Sequence, residues 1–338
     1  MFPKIRVPYI IAEIGQAHDG SLGMAHSYID ALADTGVDAV KFQMHIASAE
    51  SSVHEPFRVK FSYEDDTRFD YWQRMGFTLE QWKGIKEHCE DKGLDFICSP
   101  FSNFAVDWLE QLDAKIYKIG SGEVNNLLML EKIAQTNKPV ILSSGMSSLT
   151  ELDQTVDFLK KRKVEFAILQ CTTSYPTSPE QLGLNVIAEL KSRYNVKVGF
   201  SDHSARIETC IAATALGAEI LEFHVVFDRG QFGPDSKSSL TIQETRELSA
   251  AVRNIYTAMK HPVDKSKNSD FTELKQMFEK SLAVNKDLPS GHIIRFSDLE
   301  AKKPKGYGIP ASDFEAVIGR KTRTEKKQWD FLNEEDLI

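Results

Sequence analysis

The sequence predicts an α/β protein: a closed barrel of eight parallel strands and their helices, a (β/α)8 or TIM barrel, followed by a small β-rich domain. Three observations predict it. Eight short apolar runs recur between residues 9 and 226 of the 338-residue chain, and parallel strands covered on both faces read as such unbroken runs. Stretches of helical period lie between them, as crossover connections require. Past about residue 260 both patterns stop and short strands with turn residues replace them. A doubly wound open sheet would fit the same alternation, but the count of eight and a domain of about 250 residues favour closure.

The first run is YIIAEIG (9–15), with MAHSYIDALADTG (24–36) as its helix. DAVKFQ (38–43) is the second strand. The segment from His45 to about Phe77 is polar, rich in Asp, Arg and aromatic residues, and long for a connection. It reads as a βα loop enlarged over the barrel mouth. LEQWKGIKEHCEDKG (79–93) resumes the helical period and closes on glycine, a common helix stop. DFICSP (95–100) with NFAVDWLEQL, IYKIGSG (116–122) with LLMLEKIAQT, and PVILSSG (139–145) with SLTELDQTVDFLKK supply the third to fifth strands and their helices. FAILQCT (166–172), VKVGFSD (196–202) with IETCIAATALGA, and EILEFHVV (219–226) with ETRELSAAVRNIYTAM complete the barrel. HPVDKSKNSDFTELKQ is polar and aperiodic, so residues 1–260 form the barrel, 261–280 a linker and 281–338 the second domain.

A net charge of −8 excludes nucleic acid as the main partner, because no basic excess exists to neutralise a phosphate backbone. A small anionic substrate remains compatible, since a few local lysines govern a pocket within a Debye length of roughly 8 Å. The four cysteines show no metal-binding spacing and read as buried free thiols in a reducing compartment. The N-terminus lacks a signal-peptide core and no apolar run is long enough to span a bilayer, so the expectation is a soluble cytoplasmic protein with no membrane partner.

In a barrel of this kind the C-terminal strand ends face the active site. Nearly every run here ends in polar residues: Glu13; Lys41 and Gln43; Ser99; Lys118 and Ser121; Ser143; Thr173 and Tyr175; Ser201 to His203; His224. Ser143 or Ser201 alone would read as a helix N-cap. Lys41 and Lys118 lie inside apolar strands where an unpaired ammonium is rarely tolerated, so an anion is expected beside them. His203 and His224 end consecutive strands about 4.8 Å apart and converge, which suits Mn²⁺, Fe²⁺ or Zn²⁺ better than Mg²⁺; structural, hydrogen-bonded histidines are the alternative. Asp235, in a Gly-Pro-Asp turn, is either an Asx-turn residue or a carboxylate over the pocket. Glu13, in an otherwise apolar strand, is expected to have a raised pKa suited to proton transfer.

The motifs IAEIGQAHDGSLGMAHSYIDALADTGVDAVKFQ, YKIGSGEVNN, ILSSGM, LQCTTSYPT, GFSDHS, the His224 strand with GPD, and the closing IGRK run in order almost end to end. Together they resemble the sialic acid synthase (N-acetylneuraminate synthase) family. The resemblance implies condensation of phosphoenolpyruvate with an N-acyl mannosamine-type sugar, an N-acyl hexosamine, to a nine-carbon 2-keto acid with release of phosphate. It also implies a C-terminal antifreeze-like (SAF, β-clip) domain, swapped over the partner's barrel in a homodimer. By motif, Lys41, Ser99, Lys118, Ser121, Ser143, Thr173 and Ser201 would hold phosphoenolpyruvate. His203 and His224 would bind a divalent metal, Mn²⁺ first with Mg²⁺ or Co²⁺ as alternatives, and Asp202 would orient the His203 imidazole. Glu13 and Asp235 would join the two histidines in catalysis, while Gln43, Tyr175, Asp235 and Lys303 would meet the sugar. Thr173, Ser236 and Lys303 stand where relatives often carry Asn, His and Arg, and a lysine cannot supply the planar fork of an arginine. The acceptor is therefore N-acetylmannosamine first, with the diacetamido precursors of legionaminic or pseudaminic acid beside it. A non-catalytic sugar-binding scaffold, or a metal-dependent aldolase or hydrolase, are the competing classes; neither needs the cluster of anion-binding residues.

Overall fold

The computed structural model describes residues 6–59, 62–267 and 271–338. The chain divides into two compact units, Met1–His261 and Pro262–Ile338.

In the first unit β1 (Tyr9–Gly15), α1 (Leu22–Ala33) and β2 (Ala39–Met44) open the barrel. The enlarged connection that follows carries two short helices, α2 (Ala47–Glu50) and α3 (Arg68–Met75), before α4 (Leu79–Asp91). The pattern then runs β3 (Asp95–Pro100), α5 (Asn103–Gln111), β4 (Tyr117–Ile119), α6 (Leu127–Gln135), β5 (Val140–Ser143), α7 (Leu149–Lys161) and β6 (Phe166–Cys171). It ends with α8 (Val186–Tyr194), β7 (Lys197–Asp202), α9 (Ile207–Ala215), β8 (Ile220–Val226), a two-residue β9 (Leu240–Thr241) and α10 (Ile242–Lys260). Each strand pairs in parallel with the next, and β1 also pairs with β8, which closes the barrel. All eight expected strands are therefore present in the expected order.

The helices begin where side chains can satisfy free backbone N–H groups. Thr78, Ser148 and Thr241 form capping boxes with Gln81, Glu151 and Glu244 at the starts of α4, α7 and α10. Neither Ser143 nor Ser201 is a cap: α7 starts from Ser148 and α9 from Arg206. The helices bury their apolar faces against the outside of the strands in one large core that includes Tyr28, Phe42, Trp82, Tyr117 and Phe200. A second, smaller cluster fills the barrel interior with Tyr9, Ile11, Ala39, Ile97, Ile141, Leu169 and Ile220.

Four helices lie where periodicity did not place them, the four-residue α2 among them. α3 is eight residues of RFDYWQRM, too polar and short to show a period, and it is held by a Thr67–Asp70 capping box and an aromatic cluster of Tyr71 and Trp72 with Phe57 and Phe69. α8 is nine residues long and ends in Asn195 in the left-handed conformation. In the second unit α11 (Thr272–Phe278) occupies part of the stretch expected to be a bare linker; its Leu274, Met277 and Phe278 are exposed, so no buried stripe marked it.

The rest of that unit pairs β10 (Ser281–Val284) with β11 (Leu299–Lys302) in an antiparallel sheet. Leu282, Val284, Leu288, Ile294, Ile309, Val317, Leu332 and Leu337 form its own core. Buried Asp298 accepts hydrogen bonds from His292 Nε2 (2.7 Å) and the Arg295 N–H (2.9 Å), with the Lys286 ammonium 2.6 Å away.

Candidate active site

Alternation along the strands builds the site. Side chains two apart share a face, so the series that points Ile11, Ala39, Ile97, Ile141, Leu169 and Ile220 into the barrel continues upward. It delivers Glu13, Lys41 then Gln43, Ser99, Ser143, Cys171, and Glu222 then His224 to a cavity of about 490 Å³. Thirteen of the fourteen site residues expected from sequence line this one cavity: Glu13, Lys41, Gln43, Ser99, Lys118, Ser121, Ser143, Thr173, Tyr175, Ser201, His203, His224 and Asp235. The fourteenth, Lys303, belongs to the second unit, where its ammonium lies 4.8 Å from the Phe278 ring.

The floor is a network of opposite charges. Lys41 Nζ donates to Glu13 Oε1 at 2.5 Å and lies 3.4 Å from Ser99 Oγ. Lys118 Nζ donates to Ser143 Oγ at 2.8 Å and to the Ile119 carbonyl at 3.1 Å. Glu222 sits between the lysines, with Oε1 3.8 Å from Lys41 and 3.5 Å from Lys118, and accepts from Ser201 Oγ at 3.3 Å. Among the described residues its second oxygen is buried without a hydrogen-bond partner. The anions expected beside the lysines are thus, in the first instance, the protein's own Glu13 and Glu222.

These neighbours overturn the expectation of a raised Glu13 pKa. Burial does push that carboxyl up, but His224, Lys41 and Lys118 more than offset it and hold it well below the usual carboxylate range. Lys41 is raised because Glu13 and Glu222 outweigh its burial. Burial prevails at Lys118, whose pKa is lowered despite Glu222, with Lys41 adding to the effect.

Above the floor the rings of His203 and His224 lie 5.3 Å apart between centroids, with Tyr175 4.2 Å from His203. His224 Nε2 is 3.2 Å from Glu13 Oε2. His203 Nδ1 is 3.0 Å from the Thr172 carbonyl, an acceptor, so Nδ1 carries a hydrogen toward it. Asp202 does not orient this ring. Its carboxylate accepts from the Ser204 N–H (3.1 Å), Ser204 Oγ (2.8 Å) and Thr209 Oγ1 (2.7 Å), tying the end of β7 to the start of α9. It points to the opposite face because it is one residue out of step with Ser201 and His203.

At the rim Asp235 makes no side-chain bond to its own turn; Arg58 Nη2 donates to its Oδ1 at 2.6 Å, and the guanidinium lies 4.2 Å over the Tyr175 ring. Gln43 Nε2 donates to Glu13 Oε1 at 2.6 Å. Sequence patterning did not assign Glu222, Cys171, His45, Glu50, Arg58 or Arg68, all of which line the cavity. For Glu222 and Cys171 the signal existed, since Glu222 stands two residues before His224 in an apolar strand and Cys171 two residues after Leu169 at the end of β6; His45, Glu50, Arg58 and Arg68 depend on how the enlarged loop folds back.

A model of the NeuB family matches residues 28–264. The chain belongs to the NeuB family. It is an enzyme of this group of nonulosonic acid synthases. Relatives match nearly end to end: N,N'-diacetyllegionaminic acid synthase of Campylobacter jejuni is 34% identical over 96% of this chain and 98% of its own. Human N-acetylneuraminate-9-phosphate synthase is 32% identical over 97% and 92%. Among solved structures, the N-acetylneuraminic acid (sialic acid) synthetase of Leptospira borgpetersenii superposes with a TM-score of 0.71 at 30% identity, covering 81% of this chain and 94% of that one. Family membership accounts for a closed barrel whose polar residues gather at one end.

Proposed function

We propose that this NeuB-family chain condenses phosphoenolpyruvate with an N-acyl mannosamine-type sugar, giving a nine-carbon 2-keto sugar acid and phosphate. One observation carries the reading: the lysine and serine pole and the two imidazoles open into a single cavity of about 490 Å³. An aldolase or hydrolase would use the histidines without the pole, and a scaffold would need neither.

The donor set fits a divalent first-row ion. With the Thr172 carbonyl at its Nδ1, His203 would ligate through Nε2, and His224 Nε2 stands beside the Glu13 carboxylate. Among the described residues no group of three His, Cys, Asp or Glu side chains could hold a metal ion, so in this reading the two imidazoles would be its side-chain ligands and water or substrate would supply the rest. When bound, such an ion, Mn²⁺ by first choice, withdraws charge from the acceptor's aldehyde oxygen.

Lys41, Lys118 and the hydroxyls of Ser99, Ser121, Ser143, Thr173 and Ser201 hold the phosphate and carboxylate of phosphoenolpyruvate. Carbon 3 of the enol attacks the aldehyde carbon, whose oxygen takes up a proton to become a hydroxyl; water adds at the cationic C2 and gives up two protons, one balancing that uptake and one leaving with phosphate as the C–O bond breaks and C2 becomes a ketone. The fixed ammonium of Lys118 meets the charge that the departing phosphate gathers, at no reorganisation cost during the reaction. Gln43, Tyr175 and Asp235 align the sugar. The second domain caps the barrel of a partner chain, with Lys303 reaching the sugar.

N-acetylmannosamine is the first acceptor we propose. The diacetamido sugar leading to legionaminic acid is the second reading, favoured by the 34% identity to the Campylobacter enzyme. The test is phosphate release from phosphoenolpyruvate with Mn²⁺ against a panel of N-acyl hexosamines, including a diacetamido sugar. We expect turnover with one of them; no turnover with any would leave the scaffold reading.

A further inference from the structure

The enlarged loop reaches the floor of the cavity through one ring. His45 is buried and lies stacked between Trp72 of α3 (3.6 Å between centroids, 16° between planes) and Phe101 (4.3 Å, 17°). Its Nδ1 is 2.7 Å from Glu50 Oε1 in α2, and its Nε2 is 3.1 Å from Gln43 Oε1. Gln43 passes the chain on, since its Nε2 donates to Glu13 Oε1 at 2.6 Å. A parallel arm comes from the residue beside Trp72: Tyr71 OH donates to Gln16 Oε1 at 2.6 Å, and Gln16 Nε2 lies 3.5 Å from Gln43 Oε1.

The two ends of a glutamine amide are nearly equal in size and opposite in hydrogen-bonding sense, so neighbours decide which way it faces. Glu13 Oε1 already accepts from Lys41, so only the –NH₂ of Gln43 fits there. The carbonyl oxygen is then turned to His45, which has to meet it with an N–H on Nε2. Glu50, against Nδ1, keeps the ring in the plane that makes this contact.

We infer that His45 is a positioning residue for the acceptor: held by Glu50, Trp72 and Phe101, it fixes the Gln43 amide with its –NH₂ toward Glu13 and the sugar. This rests on the reading of Gln43 as a sugar-binding residue in a synthase site. It makes the placement of α2 and α3 beside His45 a condition for the acceptor end of the cavity to present the right group.

His45→Phe tests it, because the ring stays in the stack while both N–H positions are lost. We expect the KM for the acceptor to rise roughly tenfold, as for one lost hydrogen bond to a polar group, and that for phosphoenolpyruvate to stay within about twofold. In a Gln43→Leu background the same substitution should add less than about twofold, since the group it positions is gone. An undiminished effect in that background, or equal rises for both substrates, overturns the proposal in favour of a role in loop folding alone. A second measurement does not need turnover: imidazole ¹⁵N NMR of the full-length protein, with the His45 signals identified by their loss in His45→Phe. A hydrogen on Nε2 is expected, and a bare Nε2 overturns the proposal. Wild-type protein inactive on every acceptor would instead remove the synthase reading, while the NMR result still decides the hydrogen-bond chain.

Discussion

Lys118 shows how a single side chain can be read at this site. Its ammonium is buried, bonded to Ser143 and close to Glu222, and an incoming phosphate would add the strongest of its partners. A charge-assisted hydrogen bond is typically worth about 1.5 to 3 kcal/mol. Lys118→Met should therefore raise the KM for phosphoenolpyruvate by roughly tenfold to over a hundredfold, with little change for the sugar. Steady-state kinetics varying each substrate decides it, and equal losses would place Lys118 outside the phosphate subsite. Gly145 is a steric counterpart. A Cβ there would lie 2.5 Å from Thr173 Oγ1, 2.7 Å from Ser121 Oγ and 3.0 Å from Cys171 Sγ, so Gly145→Ala has to displace two of the proposed phosphoenolpyruvate ligands. We expect it to weaken phosphoenolpyruvate binding, measured by titration calorimetry; unchanged affinity would mean those hydroxyls do not touch the substrate.

At the scale of elements, the junction of β7 and α9 separates two neighbouring residues by role. Asp202 is tied to Ser204 and Thr209, so Asp202→Ala removes three hydrogen bonds at the start of a helix. We expect a loss of about 1 to 3 kcal/mol in stability, read from urea unfolding, with metal affinity unchanged. A large fall in metal affinity at ordinary stability would restore the orienting role that the sequence suggested. The β1–α1 connection carries a pH dependence of its own. His18 accepts from the Gly20 N–H at 3.1 Å and is buried against Phe77; burial first, then His45, push its pKa down to about 3 from the ordinary 6.5. Between those values the unfolded chain binds the extra proton and the folded chain does not. Its contribution is therefore complete above about pH 6.5 and is lost as pH falls through that window. His18→Gln should flatten the fall in the urea midpoint between pH 7 and pH 4.5, and an unchanged slope would rule His18 out.

For the molecule as a whole, the proposal that the second of the two compact units caps a partner's barrel can be set against capping of its own. If it serves the partner's, one chain carrying His224→Ala and another carrying Lys303→Ala complement each other. The mixed dimer then contains one wild-type barrel facing one wild-type tail, and random pairing gives about a quarter of wild-type activity. If it serves its own barrel, no mixed dimer has a competent site. Co-expression with different tags distinguishes the outcomes, and absence of activity in verified mixed dimers would end the exchange. Among the described residues no helix is long and apolar enough to cross a membrane.

Local rules suffice for the barrel and for most of the site. Continuous apolar runs, helical periods between them and polar residues at the run ends identify the eight strands and twelve of the cavity's residues, because a period of two carries each inward-facing series from packed Ile or Leu to Glu13, Ser143 or His224; Asp235 is read from its Gly-Pro-Asp turn. Charge pairing is not local. Lys41 meets Glu13 and Glu222 from β1 and β8, across closure of the barrel, and His224 with Lys41 lowers the Glu13 pKa where burial alone would raise it. The same holds for His45, Glu50 and Arg58. Their loop has no period because its short helices are held by aromatic contacts and capping bonds, and only its folding over the mouth brings those side chains to the strands.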